Sequence, residues 1–439
     1  MIIPQFLIAA PMSGSGKTTV CRGLMALLIK KGFNVQPFKC GPDYIDTKYH
    51  TAVCGNPSVN LDLFMASEQH VKDLYASHAC RADVCVVEGM MGMFDGYDRE
   101  QGSSADVAGL LGLPVILVVD ARSVAYSVAP LLSGFARFRP DVKVAGVIFN
   151  RVGSARHYEM LQEACEDVGI TCLGYLPKDK ALEQDSRYLG LDFSRSSGTD
   201  AIEYLVQLLE QHVDWKQLLK LAKLPVPDVV QTDLAVKGNR RIWVARNGES
   251  FSFLYAAHVE LLEHMGTVTY FDPEQNIDIP QDIDLLYLPG GYPEKHLEEL
   301  SAAQQTLSSI RRYAEEGGRI WAECGGMIYL SQGVVDNASD KIHPLAGILP
   351  FYITNREGER KLSLGYRQLM YKGQQLRGHE FHYTQIAGLS DENDNMLSSV
   401  AQMKDAKGRI VSTSLFRYKN VMGSYVHLYW GEADLIKFF

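Results

Sequence analysis

The sequence feature that most constrains the fold is a series of short, mainly apolar runs separated by longer mixed segments. In the first half of the 439-residue chain these runs are 6–10, 84–87, 115–119 and 144–149. Each run has the length and the aliphatic content of a strand buried on both faces, and the intervals are long enough for helical crossovers. The pattern predicts a parallel α/β sheet.

A proline-containing segment at 224–228 interrupts the helical pattern before it, and a polar stretch follows. Strands and helices then alternate again, with strand patterns at 241–245, 268–271, 284–288 and 319–322. We therefore predict two α/β domains, 1–225 and 241–439, joined by a linker over 226–240.

Composition excludes several classes of protein. Hydrophobic residues make up 46% of the chain and charged residues 22%, so a mainly disordered chain is excluded. The net charge of −9 argues against non-specific nucleic-acid binding. Eight cysteines are too few for a disulfide scaffold, and the apolar runs are far shorter than the roughly 20 residues of a membrane span. We expect a cytoplasmic protein with no nucleic-acid or membrane partner.

A loop rich in glycine and serine follows the first predicted strand and precedes a predicted helix over about 19–31. It resembles a Walker A loop, although Pro11 replaces the first glycine. In such loops backbone N–H groups point at phosphate oxygens, the lysine contacts the β- and γ-phosphates, and the hydroxyl binds Mg²⁺. The ATP-binding candidates of the loop are Ser13, Gly14, Ser15, Gly16, Lys17, Thr18 and Thr19.

Further polar residues complete this candidate site. Glu88 ends a buried run and is placed as a second Mg²⁺ ligand, although a capping carboxylate would leave the same pattern. One turn contributes Lys39, Asp43 and Asp46. Asn150 follows the fourth predicted strand, where it suits contact with the base and phosphates of a nucleotide, with a simple turn as an equal alternative.

The second half contains one cysteine in a glycine-rich turn. Cys324 follows a predicted strand and precedes Gly325, Gly326 and a helix. This layout is typical of a nucleophile elbow, in which the helix N-terminus is expected to lower the thiol pKa. Gly291 lies in a second glycine loop, and its N–H together with that of Gly325 is predicted to form an oxyanion hole.

A nucleophilic cysteine needs a base, and histidine is the usual choice. His427 is the best candidate, and His379 and His382 are rivals. A buried core cysteine and a buried core histidine are the structural alternatives. The glycine turn at Cys324 and the second glycine loop favour the catalytic interpretation.

Taken together, these segments resemble the cobyrinic acid a,c-diamide synthase family over nearly the whole chain. The segments that carry the resemblance are 10–19, 35–46, 60–62, 88–96, 173–177, 290–294, 322–326, 378–382 and His427. The resemblance implies a dethiobiotin-synthetase-like ATP domain fused to a class-I-like glutamine amidotransferase domain. It also implies ATP, glutamine and Mg²⁺ as requirements and a corrinoid macrocycle as substrate.

The resemblance further implies residue roles. Cys324 would attack glutamine, and His427 would assist it and protonate the leaving ammonia. At the first site, ATP would phosphorylate an acetate carboxylate of cobyrinate, and ammonia would then displace phosphate. Metal ligation is implied for Thr18, Asp46 and Glu88, contact with the γ-phosphate or acyl phosphate for Lys39, and a place near phosphoryl transfer for Asp43 and Asp95.

The sequence departs from related patterns at three positions. Met12 stands where partitioning ATPases carry a signature lysine, which disfavours a dimer-sandwich ATPase. Tyr429 stands where common glutaminase triads have an acid, so we expect a Cys–His dyad with an unidentified orienting group. Tyr188 stands where relatives often have histidine, which puts a ligand role there in doubt.

Two alternative functions remain open at this point. The same chemistry on nickel-sirohydrochlorin or hydrogenobyrinate would use the same motifs. A nucleotide-switched scaffold protein with a vestigial glutaminase domain belongs to another class, and retention of the whole glutaminase apparatus argues against it. The sequence leaves the oligomeric state open, a homo-oligomer included.

Overall fold

The structure is a computed structural model that describes residues 1–182, 197–228, 238–336, 341–389 and 397–439. The chain divides into two compact units, of which the first comprises Met1–Leu63 and Ser67–Gln231 and the second Phe64–Ala66 and Thr232–Phe439. Tyr188 and most of the predicted linker lie outside the described residues, and the predicted domain boundaries stay predictions.

The first unit is built on one sheet flanked by helices. Its strands are β1 (Ile2–Ala9), β2 (Val35–Cys40), β3 (Val59–Leu61), β4 (Val84–Glu88), β5 (Val115–Asp120), β6 (Val144–Val152), β7 (Thr171–Pro177) and β8 (Lys223–Pro225). Its helices are α1 (Lys17–Lys30), α2 (Ile45–Cys54), α3 (Glu68–Ala79), α4 (Ser104–Leu111), α5 (Val128–Arg137), α6 (Ala155–Val168), α7 (Ser197–His212) and α8 (Trp215–Leu221).

The strands of this sheet follow the order β3-β2-β4-β1-β5-β6-β7 and are parallel, while β8 pairs antiparallel with the start of β1. The four strands predicted from apolar runs, which are β1, β4, β5 and β6, are confirmed. The register pairs Glu88 with both Ile8 and Lys39. The loops after these parallel strands therefore begin at one edge of the sheet, where α/β proteins bind ligands.

The second unit contains a larger, mixed sheet and a smaller one. Its strands are β9 (Arg240–Ala245), β10 (Gly266–Phe271), β11 (Leu285–Leu288), β12 (Ile320–Glu323), β13 (Ser331–Val335), β14 (Ile342–Pro344), β15 (Leu349–Thr354), β16 (Ser363–Tyr371), β17 (Gln374–His382), β18 (Gln385–Leu389), β19 (Ser398–Asp405), β20 (Ile410–Tyr418), β21 (Val421–Ser424) and β22 (His427–Tyr429). Its helices are α9 (Ala256–Met265), α10 (Leu297–Ala302), α11 (Gln304–Glu315) and α12 (Gly325–Leu330).

The larger sheet has the order β10-β9-β11-β12-β21-β20-β19-β16-β17-β22, and a smaller sheet has the order β14-β13-β15-β18. The segment from β10 to β21 is parallel, and the strands beyond it pair antiparallel. The predicted α/β class is confirmed for both units. The antiparallel half has no counterpart in the sequence-based prediction, which assigned no strand after Ala322.

The parallel register of the second unit brings its candidate segments together. Leu288 pairs with Ala322, and Glu323 pairs with Ser424. The glycine loop after β11, the cysteine after β12 and the chain leading from β21 to His427 therefore start from one edge of the sheet. Among the described residues, no helix is both long and apolar enough to cross a membrane.

Candidate functional site

The loop after β1 has the backbone geometry of a phosphate cradle. Gly14 and Gly16 have φ of +79° and +90°, in the left-handed region that favours glycine. A Cβ on Gly16 would overlap the Asn150 amide, whose Nδ2 donates a 2.9 Å hydrogen bond to the Ser15 carbonyl. Asn150 thus lies against the loop and fixes its shape. Its predicted contact with nucleotide stays a prediction.

A dense cluster of charged groups lies beside the loop. The Thr18 hydroxyl donates to Glu88 Oε1 over 2.6 Å. Lys39 Nζ lies 2.7 Å from Asp46 Oδ2 and 3.2 Å from Glu88 Oε1. His50 Nε2 lies 2.8 Å from Glu88 Oε2. The structure therefore brings together three predicted residues from separate elements, namely Thr18, Asp46 and Glu88, with Lys39 between the acids.

Burial and charge oppose one another in this cluster. Burial raises the pKa of Glu88, but Lys39, His50 and Thr18 outweigh it, and the pKa falls well below its ordinary value. Burial and the nearby Glu88 raise the pKa of Asp46 to about 6. Burial lowers the pKa of Lys39, but the charges of Glu88 and Asp46 raise it by more. The pKa of Lys39 therefore lies well above its ordinary value. The lysine stays charged and offsets part of the negative charge of the two acids.

The remaining loop residues organise the backbone around the cluster. Lys17 Nζ donates to the Met91 carbonyl over 2.7 Å, and burial followed by the charge of Lys39 lowers its pKa. Asp43 accepts hydrogen bonds from the backbone of Ile45 and Asp46 at the start of α2, and Asp95 accepts one from Gly92. These bonds shape the loops, and a role for Asp43 or Asp95 in phosphoryl transfer stays a prediction.

The donor atoms of the cluster fit a hard divalent cation. Mg²⁺ prefers oxygen ligands, and Thr18, Asp46 and Glu88 supply a hydroxyl and two carboxylates. A second grouping in the described part of the chain, Cys21, His50 and Glu88, has donor atoms within 4.8 Å of one another. Its thiol and imidazole are softer donors that suit Mg²⁺ poorly, and burial raises the pKa of Cys21 well above its usual value.

His50 is a residue of this site that sequence reasoning missed. The fully buried His50 ring lies between Glu88 and Ser58. Its Nδ1 is 3.2 Å from the Ser58 hydroxyl oxygen. The sequence contains an indication of this role. His50 follows Asp46 by four residues on α2, so the two side chains lie on the same side of the helix. His50 therefore holds one oxygen of Glu88 while Thr18 and Lys39 contact the other.

The second candidate site is centred on a strained turn. Cys324 separates β12 from α12. Its backbone has φ of +46° and ψ of −105°, a conformation that residues other than glycine rarely adopt. Its N–H donates to the Ser424 carbonyl over 2.7 Å, which ties the turn to β21. Backbone strain of this kind is found at nucleophile elbows, so the predicted geometry of Cys324 is present.

Two glycine loops meet at this turn. A Cβ on Gly325 would lie 3.0 Å from the Gly291 nitrogen, so the two predicted oxyanion-hole residues are adjacent. A Cβ on Gly290 would overlap His427 Cε1, so only glycine leaves room for the imidazole there. The structure thereby brings His427 to the glycine loop and the loop to Gly325.

The expectation that a helix N-terminus lowers the pKa of Cys324 is wrong for this structure. Burial raises the pKa of the thiol well above its ordinary value, nearby Glu294 adds to this, and the Gly325 N–H offsets only part. Burial and then His379 lower the pKa of His427 well below its usual value. At rest the Cys324 thiol and the His427 imidazole are consequently both neutral.

The rival histidines occupy different positions. His379 pairs with His427 across β17 and β22, and their rings stack with centroids 5.1 Å apart. His382 stacks on Tyr425, with Nε2 2.7 Å from Glu380 Oε1 and Nδ1 2.8 Å from the Thr384 carbonyl. Both ring nitrogens of His382 are engaged by Thr384 and Glu380, which favours His427 as the base.

The two halves of the chain match two domain families. Residues 6–190 match a family described as the CobQ/CobB/MinD/ParA nucleotide binding domain. Residues 241–435 match one described as the CobB/CobQ-like glutamine amidotransferase domain. The matched ranges contain the phosphate loop and the cysteine turn, respectively.

Several curated proteins are similar to this chain over nearly its full length. The cobyrinate a,c-diamide synthase of Caldanaerobacter subterraneus subsp. tengcongensis is 39% identical over 435 residues, which cover 96% of this chain and 94% of that protein. The hydrogenobyrinate a,c-diamide synthase of Brucella abortus biovar 1 is 38% identical over 442 residues, covering 98% and 99%. The protein of that same name from Mycobacterium bovis is 38% identical over 409 residues, covering 88% and 87%.

Proposed function

The chain belongs to the a,c-diamide synthase family of glutamine-dependent, ATP-using amidoligases, and from that premise we propose that it converts the a and c acetate carboxylates of cobyrinate into amides. The strained turn at Cys324 beside Gly291 and Gly325 is the observation that carries the proposal. A domain kept only as a scaffold has no need of that strain. The same turn therefore argues against the nucleotide-switched scaffold.

In the proposed glutaminase half, Cys324 Sγ forms a bond to the amide carbon of glutamine while its proton passes to His427. The Gly291 and Gly325 N–H groups stabilise the oxyanion that develops on the amide oxygen. The proton on His427 then passes to the leaving nitrogen, which departs as ammonia. Water hydrolyses the thioester, giving glutamate and restoring the thiol.

In the proposed synthetase half, a substrate carboxylate oxygen attacks the γ-phosphorus of ATP and ADP departs. The acyl phosphate is an activated carboxyl, and ammonia attacks its carbon to give the amide and free phosphate. Lys17 and Lys39 offset the repulsion between the two anionic reactants. Thr18, Asp46 and Glu88 would hold Mg²⁺, which supplies further positive charge at the phosphates when bound.

A cavity beside the phosphate loop supports a nucleotide site in the first unit. It is lined by Pro11, Met12, Ser15, Val119, Asp120, Arg122, Ser123 and Leu131. Its lining is an even mixture of apolar and polar side chains, which can contact both the apolar and the polar parts of a small ligand. We infer that the nucleotide occupies this region.

We further infer that the enzyme works in the cytoplasm, where ATP and glutamine are supplied. A homo-oligomer stays a prediction.

Comparison of macrocycles tests the proposed substrate. The full-length protein is incubated with ATP, Mg²⁺ and glutamine and with cobyrinate, hydrogenobyrinate or nickel-sirohydrochlorin in parallel. We expect mass spectrometry to find doubly amidated cobyrinate, and none in the control without ATP. Amidation of nickel-sirohydrochlorin or hydrogenobyrinate but not of cobyrinate would overturn the substrate assignment. Absence of amidation with all three would overturn the proposed function.

A further inference from the structure

A catalytic histidine works best when a third group holds its ring in one orientation and tautomer. In this chain the residue two positions after His427 is Tyr429, which offers no carboxylate. The group that orients His427 must therefore come from another part of the fold. A carboxylate on the strand that ends at the nucleophile meets this requirement.

Glu323 is the last residue of β12 and immediately precedes Cys324. Its side chain is 2% exposed, although an acid is rarely so buried without a specific arrangement around it. Oε2 of Glu323 lies 3.9 Å from Nδ1 of His427. The nucleophile and this carboxylate are thus adjacent in the chain, and the carboxylate lies next to the imidazole of the candidate base.

Three neutral donors fix the carboxylate in place. The indole Nε1 atoms of Trp321 and Trp430 donate to Glu323 Oε1 over 2.8 and 3.1 Å, respectively. The Tyr287 hydroxyl donates to Oε2 over 3.0 Å. These donors come from β12, from the residue after β22 and from β11, so the carboxylate is held by three segments of the sheet. Such a network leaves the side chain little freedom to rotate.

We propose that Glu323 is the positioning residue of His427, supplying from the preceding strand the carboxylate that position 429 lacks. With Nδ1 of His427 on the side of Glu323, Nε2 is the nitrogen left to exchange a proton with Cys324. At 3.9 Å, which is beyond hydrogen-bond distance, the carboxylate acts on the ring through its charge and stabilises the imidazolium that forms when the thiol gives up its proton. This inference rests on the proposed glutaminase function.

Burial shifts the pKa of both groups. Burial raises the pKa of Glu323 to about 7, and the hydrogen bonds from Trp321, Trp430 and Tyr287 hold it from rising further. Burial and the neighbouring histidines lower the pKa of His427 and so oppose its protonation. When Glu323 is ionised, its charge 3.9 Å from the ring opposes this effect of burial on His427.

Substitution of Glu323 by glutamine tests the inference in the full-length protein. Glutamine keeps the shape and one oxygen for both indoles but removes the charge that acts on the His427 ring. We expect kcat for glutamine hydrolysis to fall about 100-fold, at the lower end of what general acid–base catalysis contributes, with KM for glutamine unchanged. Glu298→Gln, the same change at an exposed residue of α10, is the matched control and should behave as the wild type.

The variant Glu323→Asp separates positioning from packing. Aspartate keeps the charge but leaves a gap, whereas glutamine fills the space without charge. If Glu323 positions His427, kcat falls in the order Glu, Asp, Gln. If Glu323 only fills space, glutamine retains at least as much activity as aspartate, and the inference is overturned. This order is measured at equal folded fraction, checked by thermal unfolding.

Two further readouts keep the outcomes distinct. The rate at which iodoacetamide alkylates Cys324 should fall in Glu323→Gln, because the reactive thiolate forms only when His427 takes up its proton, and the charge of Glu323 favours that step. Wild-type glutamine hydrolysis is measured beside each variant. If the wild type does not hydrolyse glutamine, the proposed function fails. If the wild type hydrolyses it and Glu323→Gln does so with equal kcat, only the role of Glu323 fails.

Discussion

Replacement of Cys324 by alanine is expected to abolish glutamine-dependent amidation while amidation from free ammonia continues. The thiol forms the covalent bond to glutamine, and no neighbouring group can replace it in that step. We expect the glutamine-dependent rate to fall by at least about 10³-fold, as for the loss of other catalytic nucleophiles. The two rates are measured on the same sample, with glutamine or an ammonium salt as the nitrogen source.

A second cysteine supplies the control for this variant. Cys80 is exposed and lies just after α3, far in sequence from the glycine loops, so Cys80→Ala should retain both activities. Unchanged use of glutamine by Cys324→Ala would contradict the assignment of the nucleophile. Loss of the ammonia-dependent rate as well would indicate that the substitution disturbs more than the glutaminase site.

Replacement of Lys17 by alanine is expected to abolish amidation from either nitrogen source. Lys17 is buried at the start of α1, in the phosphate loop, and phosphoryl transfer must precede the attack of ammonia from any source. The loss of one charge that stabilises the transferring phosphoryl group suggests a fall of about 10²- to 10³-fold. Amidation with ammonia and release of phosphate from ATP measure the effect directly.

An exposed lysine of the same unit is the matched control. Lys72 on α3 is exposed, and Lys72→Ala should keep both rates near those of the wild type. Glutamine hydrolysis by Lys17→Ala should persist, because Cys324 and His427 belong to the other unit. Normal ammonia-dependent amidation by Lys17→Ala would argue against the role assigned to the phosphate loop.

Local patterns in the sequence predicted the parts of the fold that depend on neighbouring residues. The apolar strand β1, the glycine-rich loop and helix α1 are contiguous, and their hydrophobic pattern and turn chemistry are visible in one segment. The strand and glycine turn around Cys324 are similarly local. The antiparallel strands β16, β19 and β20 were not predicted, because each is largely exposed or half-buried and its partners are set by pairing across the sheet.

The contacts that complete the sites depend on packing between distant segments. His50 contacts Glu88, which is 38 residues away in the sequence. Glu323 lies near His427 because β12 pairs with β21, the strand that leads to His427. The helix after Cys324 led to the expectation of a lowered thiol pKa. Burial of the thiol instead raises that pKa. Burial of this kind follows from tertiary structure and not from the local sequence pattern.

The fate of the glutamine amide nitrogen shows whether this chain couples glutamine hydrolysis to ATP-dependent amidation of cobyrinate. The full-length protein is incubated with cobyrinate, ATP, Mg²⁺ and glutamine labelled with ¹⁵N at the amide, and the product is analysed by mass spectrometry. We expect a doubly amidated product in which both new amides carry ¹⁵N, formed only when ATP is present. A product without the label, or amidation that proceeds without ATP, would contradict it.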